Sequence, residues 1–117
     1  MHYDVIIIGA GPGGIFTAYE MLQQKKEIKI AVFEAGHSLD RRRCPIDGEQ
    51  VKSCIKCKSC SIMSGFGGAG AFSDGKYNIT NDFGGTLYEY IGKAKAIELM
   101  QYVDQINMKY GGEGTKV

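Results

Sequence analysis

Gly9, Gly11 and Gly14 fit the spacing G-x-G-x-x-G, and what flanks them restricts the chain more than the glycines do. Upstream, residues 3–8 (Tyr-Asp-Val-Ile-Ile-Ile) form a β-branched run without alternation, the pattern of a strand buried on both faces of a parallel sheet. Downstream, Ile15, Ala18, Tyr19 and Leu22 recur at helical spacing, with Gln23 to Glu27 as a polar end. Residues 28–33 (Ile-Lys-Ile-Ala-Val-Phe) predict a second strand. Strand, helix and strand make a βαβ unit of about thirty residues. Glu34 follows Gly14 by 20 residues and closes the second strand. Strand, glycine turn, helix and acid together meet the requirements of a dinucleotide-binding fingerprint.

Each residue of the fingerprint has a physical task. Gly9 permits the tight turn off the strand, Gly11 lets the main chain approach a pyrophosphate, and Gly14 lets the helix pack on the sheet. The free N–H groups of the first helical turn favour an anion. Glu34 accepts hydrogen bonds from ribose hydroxyls and repels a 2′-phosphate, which argues against NADP. The plainer alternative is a glycine loop that only turns the chain, with Glu34 a solvated strand end.

With 14 basic and 13 acidic residues the net charge is +1, which leaves no electrostatic footprint for nucleic acid or an acidic membrane. No apolar run approaches the roughly 20 residues that cross a bilayer. The N-terminal segment has Asp4 where a signal peptide carries positive charge, so a cytoplasmic location is expected. The length suits a single domain, residues 1–117. Glycine, at 17 of 117 residues, is about twice its usual share of roughly 7 per cent.

From Gly36 to Thr86 no convincing helix or strand can be read, and a segment that irregular is uncommon unless it is functional. From Leu87 to Tyr110 apolar residues return at steps of three and four, predicting one amphipathic covering helix that Gly111 and Gly112 stop. The irregular segment holds C-x2-C-x2-C at Cys54, Cys57 and Cys60, with Cys44-Pro45 upstream. This spacing suits part of a ferredoxin-type run, and zinc also accepts four sulfurs, although it usually takes them in two pairs. Lys52, Lys56 and Lys58 favour metal binding and thiol reactivity alike, while unligated thiols on a lysine-rich loop remain the plain reading. Arg41, Arg42 and Arg43 either set a guanidinium against pyrophosphate or adenine, or form a solvated loop. The glycines between Gly65 and Gly75 either let the loop lie flat on a flavin or phosphate, with Lys76 stabilising the reduced ring, or form a surface loop. His2 and His37 pair with no nucleophile, and no catalytic residue is assigned.

The segment Asp4-Val-Ile-Ile-Ile-Gly-Ala-Gly-Pro-Gly-Gly14 resembles the start of FAD-dependent oxidoreductases of the glutathione-reductase-like group. The block Ser64-Gly-Phe-Gly-Gly-Ala-Gly-Ala-Phe-Ser-Asp-Gly-Lys76, followed by Tyr77-Asn-Ile-Thr-Asn81, is similar to a family of FAD- or NAD(FAD)-utilizing dehydrogenases. The resemblance spans essentially the whole chain. It implies that Gly9, Gly11, Gly13 and Gly14 bind the FAD pyrophosphate and Glu34 the adenosine ribose. It further implies that Arg42 or Arg43, with the stretch around Gly70, Ala71 and Lys76, lies alongside the cofactor. Members are longer and carry a later Gly-Asp motif that this chain lacks, so the chain is similar to an N-terminal part of such a flavoprotein.

The expected fold is therefore α/β, a partial Rossmann-like βαβ domain with an irregular Gly/Cys-rich excursion and a covering helix. The expected function is to bind the ADP portion of FAD for a flavin-dependent oxidoreductase or dehydrogenase. An NAD-binding module and a non-enzymatic cysteine-based metal or redox-sensor module are the alternatives. An uncovered sheet face and edge predict self-association.

Overall fold

The protein, seen in a computed structural model, is described here over residues 1–112. It is a small α/β chain with a two-stranded parallel sheet and three α-helices among the described residues. Its backbone gathers into two compact units that divide between Phe72 and Ser73.

The first unit opens with β1 (Val5–Ile8), α1 (Pro12–Gln24) and β2 (Ile30–Phe33). The strands pair in parallel, with Val5 opposite Ile30 and Ile8 opposite Phe33. Polar groups lock both ends of the ladder. The carbonyl of Lys29 accepts from the amides of Asp4 (2.9 Å) and Val5 (3.2 Å), and Lys29 returns its own amide to Asp4 Oδ2 (2.9 Å). At the far end the Gly9 amide donates to Phe33 O at 2.7 Å.

The helix begins at Pro12, three residues ahead of Ile15, the first apolar residue of the predicted stripe. Gly11, extended at φ −77°, is its N-cap, and Pro12 takes the first helical position, where a missing N–H costs nothing. Gly14 is the point of closest approach between helix and strand. A β-carbon there would run into the carbonyl oxygen of Gly9 and lie 3.2 Å from Ile7 Cγ2. Gly9 itself has φ +97°, a conformation that favours glycine.

The sheet departs from expectation on its second face. Alternate residues Ile6 and Ile8 stand 61% and 81% exposed and Phe33 58%, while Val5 and Ile7 are half-buried. A uniformly apolar strand reads as covered on both sides. Here α1 lies on the Ile7 side, where its Gly14 meets that side chain, and the opposite face stays in contact with solvent. That open face is where the expected self-association would act.

Residues 36–72 remain largely irregular, apart from short 3₁₀ turns at Leu39–Arg41 and Ala69–Phe72. The second unit carries α2 (Leu87–Ile91) and α3 (Lys93–Lys109), where the sequence predicts one helix. Gly92 breaks it, with φ +83° and ψ 153°, a backbone that side chains rarely adopt. Its amide caps α2 by donating to Tyr88 O (2.9 Å), and its carbonyl accepts the Ala96 amide (3.1 Å) of α3. The apolar steps of three and four run across this break, so periodicity alone conceals it. The predicted stop is present: Gly111 has φ +102°, its amide reaches Met108 O, and the Gly112 amide reaches Asn107 O at 2.8 Å. Within this unit Ala96 and Asp104 are buried, and burial raises the Tyr77 phenol above its ordinary 10.0, with the negative charge of Asp104 adding to the effect.

The glycines of α1 thus have unequal tasks, which two variants separate. Gly14→Ala is expected to lose about 3 kcal/mol of stability through overpacking. Gly13→Ala, whose β-carbon would meet nothing within 4 Å, is expected to match the parent or gain up to about 1 kcal/mol from helix propensity. Urea unfolding midpoints measure both, and equal losses at the two positions would contradict this packing.

Candidate functional site

At the carboxyl end of β1 the chain turns through Gly9 and Ala10 into the first turn of α1. Pro12 has no amide hydrogen, and the first intrahelical bond runs from the Ile15 amide to Gly11 O at 3.0 Å. The amides of Gly13 and Gly14 therefore lie ahead of the intrahelical ladder, and no side chain caps them. β-Carbons built at Gly11 and Gly13 would meet no heavy atom within 4 Å. The turn is thus bare and open, with two main-chain donors at the positive end of the helix dipole.

Glu34 is tied directly to this turn. Its Oε2 accepts the Ala10 amide at 2.7 Å and its Oε1 the Gly36 amide at 2.8 Å. These bonds, the Ala10 amide foremost and Gly36 next, hold the carboxyl below its ordinary 4.5 against the opposing effect of desolvation, with help from the positive charge of Arg42. Glu34 is consequently anionic at neutral pH. Each oxygen thus accepts one backbone amide from a different turn.

The second glycine block is docked against the first. The Gly67 amide donates to Ala10 O at 2.7 Å, and the Phe66 amide to His37 O at 3.0 Å. A β-carbon on Gly68 would lie 3.2 Å from Gly11 Cα and 3.1 Å from Pro12 Cδ, and one on Gly70 would lie 3.7 Å from Pro12 Cγ. At Gly36 a β-carbon would meet Gly65 Cα and N at 2.5 Å, so the two loops touch main chain to main chain. Gly70 and Ala71 therefore belong to a loop lying beside the fingerprint turn.

Arg42 has a task that the sequence reading does not contain. It is only 4% exposed, so it is not part of a solvated basic loop. Its Nε donates to Ser61 O (2.9 Å), Nη1 to Phe66 O (2.7 Å) and Gly68 O (2.8 Å), and Nη2 to Ile62 O (2.8 Å). The guanidinium also lies over the Phe72 ring, 4.9 Å from its centroid. Four of its five N–H groups are therefore committed to carbonyls of its own chain, which turns the charge into the loop instead of toward a pyrophosphate. The signal in the sequence was compositional: a loop so rich in glycine has few side chains to satisfy its carbonyls, and one cation can gather several.

Within the first unit the remaining candidates show no contact with this turn among the described residues. Arg43 is exposed. Lys76 belongs to the second unit, where it is exposed and pairs with Asp74 at 3.4 Å. Cys44, Cys54 and Cys57 are exposed and Cys60 partly so, and among the described residues no three His, Cys, Asp or Glu side chains converge on one point. Among the described residues no helix is long and apolar enough to cross a membrane. Comparison with protein-family models, curated proteins and solved structures gives no match.

Two outcomes test this arrangement. Arg42→Lys is expected to cost about 3 kcal/mol in a urea titration, because each carbonyl left unsatisfied costs roughly 1–3 kcal/mol. The pH dependence of Glu34 has a defined sign. Its proton is held less tightly in the folded chain, so its stabilisation is complete above about 4.5 and fades as pH falls through the lower folded value. At neutral pH Glu34→Gln should thus unfold at lower urea than the parent, and the gap should close under acid conditions. A gap that persists unchanged would remove the carboxylate from this role.

Proposed function

We propose that this chain binds the ADP portion of FAD, as the nucleotide-binding part of a flavin-dependent oxidoreductase with a Rossmann-like start. The observation that carries the reading is the pairing of a bare turn with an acid fixed beside it. The amides of Gly13 and Gly14 offer donors to a diphosphate, Gly11 leaves room for it, and Glu34 is bonded to the neighbouring Ala10 amide. An anionic acceptor suits a ribose diol and opposes a 2′-phosphate. The likeness to flavin-dependent dehydrogenases in the Ser64–Lys76 block favours FAD over NAD.

The residues present fit such a group at its ADP end. The fingerprint amides hold phosphate oxygens, Glu34 holds the ribose, and the Gly67–Gly70 segment walls the turn on the Pro12 side. When bound, FAD supplies the hydride and electron transfer, and the chain supplies position and fixed charge. Arg42 contributes at one remove, by holding the wall in shape.

Gly11→Ala tests this reading without unfolding the chain, since Gly11 has an ordinary φ and open space where the methyl would go. The variant should keep the parent's melting temperature and bind FAD and ADP about tenfold more weakly or worse, equivalent to roughly 1.4 kcal/mol or more. Titration calorimetry with FAD, ADP, NAD and NADP measures the order. Tighter binding of NAD than of FAD would favour the NAD-binding module, and binding of neither by the folded parent would end the reading.

A further inference from the structure

The Arg42 side chain spends its donors on the glycine loop, yet one carbonyl that it holds belongs to a peptide group touching the fingerprint turn. Arg42 Nη1 donates to Phe66 O at 2.7 Å. The other end of that peptide group, the Gly67 amide, donates to Ala10 O at 2.7 Å. Ala10 O in turn shares a peptide group with the Gly11 amide. No peptide bond among the described residues is cis, so in each group the C=O and the N–H point in opposite directions. Cation, peptide and peptide are thus joined head to tail, and the free end of the chain is the Gly11 N–H. Among the described residues that amide has no acceptor.

The cation at the head of this chain is 4% exposed and pairs with no carboxylate among the described residues. Two hydrogen bonds and one peptide group separate it from Ala10 O, a reach of at most about 8 Å. That reach does not exceed the Debye length at physiological salt, and a buried charge is screened less than an exposed one. Hydrogen bonds in line also polarise one another, by about 10–30% per bond. The charge of Arg42 therefore adds to the partial positive charge on the Gly11 hydrogen. After the Ala10 and Gly36 amides, Arg42 also helps to hold the Glu34 carboxyl low, so its field reaches the turn. A β-carbon at Gly11 would meet nothing within 4 Å, which leaves the space beside this donor open.

We propose that the Gly11 amide is a third main-chain donor to the diphosphate, beside those of Gly13 and Gly14, and that Arg42 is its positioning residue. Arg42 touches no ligand. It lends Gly11 positive charge through the Phe66–Gly67 and Ala10–Gly11 peptide groups, so the turn selects the charged part of a nucleotide. A diphosphate gains from Arg42 and an uncharged nucleoside does not. A unit charge about 10 Å from a phosphate, at an effective dielectric of about 20, changes affinity by roughly tenfold. This inference rests on the nucleotide reading proposed above.

The test uses the full, isotope-labelled chain in NMR titrations with inorganic pyrophosphate, ADP and adenosine. In the parent, pyrophosphate and ADP should move the amide protons of Gly11, Gly13 and Gly14 downfield, Gly11 the most, and adenosine should leave Gly11 in place. Arg42→Gln removes the charge and should weaken ADP about tenfold while changing adenosine less than about twofold. Arg42→Lys retains the charge and should keep most of the parent's preference for ADP over adenosine. A purely structural role for Arg42 would instead lower both ligands together in both variants. A Gly11 amide that stays in place while Gly13 and Gly14 move overturns the third donor. An unchanged ADP-to-adenosine ratio in Arg42→Gln with the parent's circular dichroism overturns the part given to Arg42. Should that variant not fold, a smaller shift at Gly11 than at Gly13 in the parent overturns it equally. Three unmoved amides and no binding of FAD would end the nucleotide reading itself, and this inference with it.

Discussion

The site is held in shape by one buried cation. Glycine-rich loops gain freedom of approach and lose the side chains that normally order a loop, and their carbonyls still need donors. Arg42 supplies four from a rigid planar fork, to carbonyls at positions 61, 62, 66 and 68. The Phe72 ring covers one face of the guanidinium. Lysine has a single nitrogen and cannot span that arc of acceptors. The order of the loop, and through Gly67 and Gly68 the outline of the fingerprint turn, thus descend from one side chain.

Glu34 links that loop to the sheet. Its two oxygens bond the turn after β1 and the turn after β2, so the acid is a brace between two chain reversals as well as an acceptor. The same backbone bonds that keep it ionised also fix where its spare lone pairs point. On the proposed reading, ligand recognition and local stability would draw on the same carboxylate.

Much of the first unit was legible in its residues because local rules agree there. A β-branched run, a glycine turn and a helical stripe each specify one element, and β1, α1 and β2 follow in that order. Glu34 was legible because spacing alone places it at the strand end. What stayed hidden depends on contacts between residues distant in sequence. The burial of Arg42 requires carbonyls some 19 to 26 residues away, and the Gly36–Gly65 contact joins two loops that share no local pattern. The break at Gly92 is different: one glycine inside an unbroken apolar periodicity carried the signal, and the periodicity outweighed it. The open face of β1 was hidden for a third reason, since apolar composition records what a strand can bury and not what lies over it.

The brace of Arg42 also bears on the order in which the chain becomes competent. The pairing of β1 with β2 closes through a single short helix, whereas the guanidinium must wait for a stretch of glycine- and cysteine-rich chain to return to it. Long closures through flexible chain cost entropy before any bond rewards them. The strand–helix–strand unit can therefore pair before the Arg42 loop closes against it. On the proposed reading, the turn that would receive a diphosphate needs only local closures, whereas the loop beside it needs long ones.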